Sequence, residues 1–275
     1  MTSSQQPLVD TAARARNVAR ALRMGGDLFL QNAAIDEIKD RLEIVNKSFT
    51  KMAIVTDFSQ LWADAFPEAD IVPAQDRLEF TQADYDLIIH GMSLHWSNDP
   101  VGQLIQCHRS MRPDGLFLGV LLGGETLATL RTCLAEAEAT LRGGLSPRLL
   151  PMGEVRQLGH LLQRASFAMP VADQVTLTAS YADTRHLMRD LRNMGEGNAL
   201  TDRARQFTRR AIFDMCQDLY TQKDARADGR LNATFELVVL TGWTPHASQP
   251  KPLRPGSATT HLSEVLGKSD APTKD

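Results

Sequence analysis

The chain has 275 residues, 43% of them apolar and 23% charged, with a formal net charge of −3. That balance is ordinary for a globular protein and gives no reason to expect nucleic acid as the main partner. No apolar run approaches the roughly 20 residues that span a bilayer. Cys107, Cys133 and Cys216 are widely spaced and offer neither a CxxC pair nor a disulfide framework. A reducing compartment is the simplest expectation, with each thiol buried as a small hydrophobe.

Residues 1–7 are polar and read as a flexible N-terminus. Residues 10–23 predict a helix, with Arg14, Arg16, Arg20 and Arg23 among alanines. Those arginines read as the solvated basic face of an amphipathic helix rather than as a transit peptide. No apolar signal core precedes them, so no separate leader is expected. Ile35, Ile38, Leu42 and Val45 space a second helix between Asp27 and Phe49. Lys51 to Asp57 predicts a short apolar strand. Ser59 to Phe66 predicts a short helix anchored by Leu61, Trp62 and Phe66. Ala69 to Ala74 predicts another short strand.

Asp84 to Leu127 reads as strand, polar turn, helix, turn, strand, glycine pair and helix. Asp86-Leu87-Ile88-Ile89 is the first strand. Asp99 is placed to cap a helix that has Pro100 at its first position. Val101, Leu104, Ile105 and His108 are expected on that helix's inner face, and Arg112-Pro113-Asp114-Gly115 is expected to end it. Leu116 to Leu122 is apolar throughout, as in a strand covered on both faces. Such a βαβ unit makes the sheet parallel and puts ligands at the carboxyl ends of its strands. His90–Asp99 and Gly123–Thr126 both fall there.

A long helix follows from near Glu125, with Leu127, Leu130, Leu134, Ala137 and Leu141 on one face, and Gly143-Gly144 stops it. Gly153 to Ala165 and Ala182 to Asn193 return to helical spacing. Met194-Gly195-Glu196-Gly197-Asn198 then reads either as helix termination by Gly195 and Gly197, with Asn198 capping the next segment, or as a partner- or substrate-facing loop. Asp202 to Gln222 predicts a further helix. Val171–Ala179 and Thr234–Thr241 are strands that close one edge of the sheet as an antiparallel pair. From His246 to residue 275, Pro, Ser, Thr and Lys dominate, which predicts a disordered tail. The fold class is therefore α/β with a mainly parallel sheet and helices on both faces. The expected organisation is one domain over 8–245, with small helical cap elements at about 143–165 and 182–222.

The strings FLQNAAIDEIKDRLEIVNKSF, DYDLIIHGMSLHWSND, RPDGLFLGVLLGGETLATLR, GGLSPRLLPMGEVRQLGHLLQRASF and MRDLRNMGEGNAL occur in order between about Leu8 and Trp243. In them the chain resembles the Rossmann-like class I S-adenosylmethionine-dependent methyltransferases. It is most similar to the branch holding the mitochondrial complex I assembly factor that hydroxylates an arginine of a complex I subunit. The biotin-pathway malonyl carrier-protein methyltransferases are more distant relatives. The resemblance implies S-adenosylmethionine as cofactor and a protein partner, a complex I subunit or another assembling complex. It implies the bacterial cytoplasm, or the mitochondrial matrix if the source is eukaryotic.

Carried over residue by residue, the resemblance implies Asp57, Asp76, His95, Trp96, Gly123, Gly124 and Thr126 as cofactor-site residues. Asp57 stands for the acidic residue of the turn after the first strand, and Asp76 for the polar residue at the adenine. Family members have a glycine-rich turn there, because glycines let backbone approach the cofactor. Here the turn reads Thr56-Asp57-Phe58-Ser59-Gln60, without a glycine. Residues 58–83 are too few for a full helix, strand, helix and strand, so this half is expected to be shortened. Gly123-Gly124 also reads as a tight strand-to-helix turn, and His90 as a polar residue at a strand end. No Ser–His–Asp, Cys–His or metal-ligand spacing is present. Two functions follow: an assembly or binding factor for a larger protein or ribonucleoprotein complex, its cofactor site decayed, or an active enzyme that methylates or hydroxylates a protein side chain.

Overall fold

The computed structural model describes residues 6–45 and 47–250. The strands β1 (Met52–Thr56), β2 (Asp70–Pro73), β3 (Tyr85–Gly91) and β4 (Met111–Gly123) pair in parallel in the order β2-β1-β3-β4. Next to β4 lies β6 (Leu231–Trp243), antiparallel to it, and β5 (Ala168–Tyr181) pairs antiparallel with β6 at the edge. The sheet order is β2-β1-β3-β4-β6-β5. The mainly parallel sheet and its antiparallel closing pair match the sequence expectation. The shortened first half does too, because residues 74–84 connect β2 to β3 without a helix or strand.

The helices are α1 (Thr11–Met24), α2 (Phe29–Val45), α3 (Ser59–Ala65), α4 (Pro100–Ser110), α5 (Ala128–Arg142), α6 (Val155–Arg164), α7 (Thr184–Asn193) and α8 (Arg210–Asp224). Alternate strand residues point to opposite sheet faces. Ile54, Leu87, Ile89, Leu118 and Val120 therefore join one core, with residues of α1, α2, α3, α5, α7 and α8. Ala53, Val55, Ile88, Phe117 and Leu121 join the other, with Leu104 and Cys107 of α4 and Leu162 of α6. Every residue of β3 is buried, as a strand sandwiched between two helix layers requires. Among the described residues no helix is long and apolar enough to cross a membrane.

The cap residues act as their chemistry predicts. The Asp99 carboxylate accepts the Gly102 N–H (2.8 Å) with Pro100 at the start of α4. Gly195, at φ 80°, follows the end of α7, and the Glu196 N–H returns to the Leu191 carbonyl (2.8 Å). That is a glycine-type helix stop. Gly91 sits where a Cβ would come within 2.6 Å of the Trp62 indole, so β3 and α3 pack backbone against ring.

Several expectations need correction. Arg112-Pro113-Asp114-Gly115 is not a separate turn. It is the irregular start of β4, where the register with β3 shifts and Asp114 takes φ 61°. The buried face of α4 is Gln103, Leu104 and Cys107, while Val101, Ile105 and His108 are half-buried. A glutamine takes the inner position because its amide is fully used there, toward His90 and the Gln75 carbonyl. On α5, Leu141 is exposed, Leu127 precedes the helix, and buried Glu138 replaces them on the inner face. The last helix begins at Arg210 rather than Asp202. Arg203 is engaged with the Leu200 carbonyl and the Asp10 carboxylate, which holds 201–209 as a loop. Arg14 is not solvated but buried.

A compact unit ends at Pro245, and a second begins at His246. Of the expected tail, residues 251–275 lie outside the described residues, as do residues 1–5 of the expected N-terminal segment.

Candidate functional site

The parallel strands aim their carboxyl ends at one edge, and a cavity of about 660 Å³ opens there. That is within the usual range for a small-molecule site. Thr56, Asp57 and Ser59 line it after β1, Pro73 to Asp76 after β2, and Ser93 and Trp96 after β3. Helix α1 covers it with Arg14, Ala15, Val18 and Leu22. Trp96 ends a 3-10 turn over Leu94–Trp96.

A buried charge cluster forms one wall. The Arg14 guanidinium donates from Nε (3.1 Å) and lies at 2.9 Å through Nη2 to Asp57 Oδ2. Its Nη1 donates to the Gly195 carbonyl (2.8 Å) and to Glu196 Oε1 (3.2 Å). The guanidinium also stacks 4.9 Å from the Trp96 ring centroid. The second Glu196 oxygen accepts the Trp96 indole N–H at 2.9 Å, with His95 Nε2 at 3.3 Å. Burial would raise the Glu196 carboxyl. The positive charge of Arg14, with His95 and the indole N–H, overrides that and holds it at about 2. One arginine thus joins α1, the turn after β1, the 3-10 turn and the loop after α7.

Behind this wall His90 is fully buried at the end of β3. Gln103 Nε2 donates to the Gln75 carbonyl (2.7 Å), so Gln103 Oε1 is left to accept from His90 Nε2 (3.0 Å). Burial pulls the His90 imidazole down to about 4, which keeps it neutral. It is a polar strand-end residue whose hydrogen bonds are used internally.

Of the seven residues implied by the resemblance, the cavity brings together Asp57, Asp76 and Trp96. His95 lies beside it, its side chain 3% exposed, packed against Trp96 and Glu196. Gly123, Gly124 and Thr126 do not line it. Thr126 is buried, donates to the Gly123 carbonyl (2.7 Å) and accepts the Glu236 N–H (2.9 Å). The Gly124 N–H donates to the Gly153 carbonyl (2.9 Å), and a Cβ there would collide with Glu236. These three residues tie β4, β6 and the start of α5 together. Sequence reading missed Arg14 as a site residue, since arginines among alanines look like a solvated face. Glu196 was visible only as part of a glycine-flanked loop.

The turn after β1 bears on the implied cofactor. Phe58 stands where the glycine-rich turn would run, its side chain buried in the core. The Phe58 N–H is spent on Thr56 Oγ1 (3.1 Å). Asp57 is spent on Arg14. β2 ends at Pro73, which has no N–H, and the first carboxylate beyond it is Asp76. Among the described residues no group of three or more His, Cys, Asp or Glu side chains is placed to hold a metal ion.

An open α/β sheet of this order, with its cleft under an N-terminal helix, has the Rossmann-like architecture of class I methyltransferases. No family model matches the chain. It is 32% identical over 259 residues to "Arginine-hydroxylase NDUFAF5, mitochondrial" of Danio rerio, covering 94% of this chain and 80% of the relative. The Mus musculus protein of that name is 34% identical over 260 residues, covering 94% and 75%. A malonyl-[acyl-carrier protein] O-methyltransferase of Laribacter hongkongensis is 30% identical over 181 residues, covering 66% and 58%. The chain belongs to the NDUFAF5 arginine-hydroxylase family.

Proposed function

We propose that this chain acts as an assembly or binding factor for a larger protein complex, on a methyltransferase fold whose cofactor site has decayed. The observation that carries this reading is Arg14. It occupies Asp57 and Glu196 at once, and so turns a wall of the cleft into a structural clamp. The spent Phe58 N–H, and the lack of a carboxylate at the end of β2, support the same reading. These residues do not fit S-adenosylmethionine. Family membership supports a protein partner, with a complex I subunit as the one the resemblance implies. It supports the mitochondrial matrix for a eukaryotic source and the cytoplasm for a bacterial one.

Affinity purification of the tagged chain from its own source tests the partner. Co-purification of a stoichiometric protein, lost on Arg14→Met, is the expected result. Purification of the chain alone, under crosslinking, would overturn the reading.

A second reading has its own observation. The cleft still encloses about 660 Å³ and keeps Asp76 and Trp96 on its walls. On that reading the chain modifies a protein side chain with S-adenosylmethionine, or hydroxylates an arginine as its relatives are named. Saturable cofactor binding in this cleft would favour it.

A further inference from the structure

A second cavity, of about 460 Å³, lies on the other side of Trp96 and is not part of the cleft just described. Its floor is apolar, built by Leu127 just before α5, Leu130 and Leu134 on α5, Met152, Met188 of α7 and Phe213 of α8. Leu127 holds a left-handed backbone, φ 55° and ψ 28°, which costs a β-carbon residue about 1–2 kcal/mol. Strain of that kind gathers at sites where a side chain must be aimed.

The charges around this floor are one-sided. Among the described residues Arg16, Arg20, Arg148, Arg192 and Arg203 line the cavity, against Glu196 as the single carboxylate. Glu196 is already matched by Arg14. Arg148 is matched by Glu138 and Arg203 by Asp10. Among the described residues Arg16, Arg20 and Arg192 form no salt bridge; the Asp10 carboxylate that holds Arg203 also attracts Arg16, and the rim keeps an excess of positive charge. An apolar floor under planar guanidinium donors recognises a guest with an apolar body and a carboxylate head. A guanidinium or ammonium guest would meet like charge.

We propose that this cavity binds a carboxylate carried on an apolar chain of medium length. The inference stands whatever the first cleft holds, because the two cavities are separate. The test is calorimetric titration of the full chain with octanoate, with octylammonium and octanol of the same length as controls. Octanoate should bind at one site, at least about tenfold more tightly than either control, as charge-assisted hydrogen bonds imply. The double variant Arg16→Ala/Arg192→Ala removes two exposed side chains and should weaken octanoate about tenfold while leaving thermal unfolding unchanged. A second variant, Leu130→Asp, checked for folding by circular dichroism, should weaken octanol and octanoate alike. Octanoate binding no tighter than octylammonium, or untouched by loss of both arginines, would overturn the proposal. S-adenosylhomocysteine should leave the octanoate affinity unchanged; competition between them would place octanoate in the other cleft and equally overturn it.

Discussion

Removing the charge on Glu196 has a magnitude and a sign that the structure fixes. The Glu196 carboxyl sits at about 2 against an ordinary 4.5. Its side chain is only 7% exposed, so little of that difference is lost to solvent screening. At 1.36 kcal/mol per unit, the depression corresponds to roughly 3 kcal/mol of folded-state stability at neutral pH. Because the folded value is the lower one, this stability is present above 4.5 and is lost as pH falls toward 2. Glu196→Gln should therefore lower stability at pH 7 by roughly 3 kcal/mol in urea denaturation, and should flatten the acid limb between those values. Arg14→Met removes the largest of the influences that hold the Glu196 carboxyl down, while His95 and the Trp96 indole N–H remain, so that variant should lose less stability than the parent as pH falls. Its loss at neutral pH should reach about 3–5 kcal/mol, the cost of leaving buried charge unpaired. A change in either variant within about 0.5 kcal/mol, as for a surface residue, would refute the clamp.

Glu138 titrates in the same acid window. Burial would raise it, but Arg148 and Ser146 hold it at about 2, so Glu138→Gln should also soften the acid limb and should speed hydrogen exchange at the Ser146 amide. Gly91→Ala should destabilise by about 1–3 kcal/mol, because its Cβ would drive into Trp62; thermal unfolding checks it, and an unchanged midpoint would contradict the packing. Burial pushes the Cys107 and Cys133 thiols up and Cys216 up to about 12, so native protein should show no fast-reacting thiol to an aromatic disulfide reagent, and denatured protein should show all three.

The fold was legible because its signals are local. The β1, β3 and β4 runs are apolar without alternation, which only a doubly covered parallel strand tolerates, and Asp99-Pro100 announces its own helix. What was not legible is long-range. Arg14 reaches Glu196 across 182 positions of sequence, and no local pattern separates it from Arg16, which stays exposed two residues on. Gln103 on the inner face of α4 broke the apolar spacing for a related reason, since its partner His90 lies on another element. Gly123, Gly124 and Thr126 sat at the right end of the right strand. Their polar groups were already committed to Gly153 and Glu236, which residue type alone does not reveal.

On the proposed reading, the cleft at the ends of β1, β2 and β3 keeps its shape but has given up the cofactor. Calorimetric titration of the full chain with S-adenosylhomocysteine, extended to millimolar ligand and repeated as a thermal shift, tests this most directly. No saturable heat and no rise in the unfolding midpoint are expected, since a ligand bound to the folded state alone would stabilise it. Saturable binding that disappears on Asp76→Ala would contradict it.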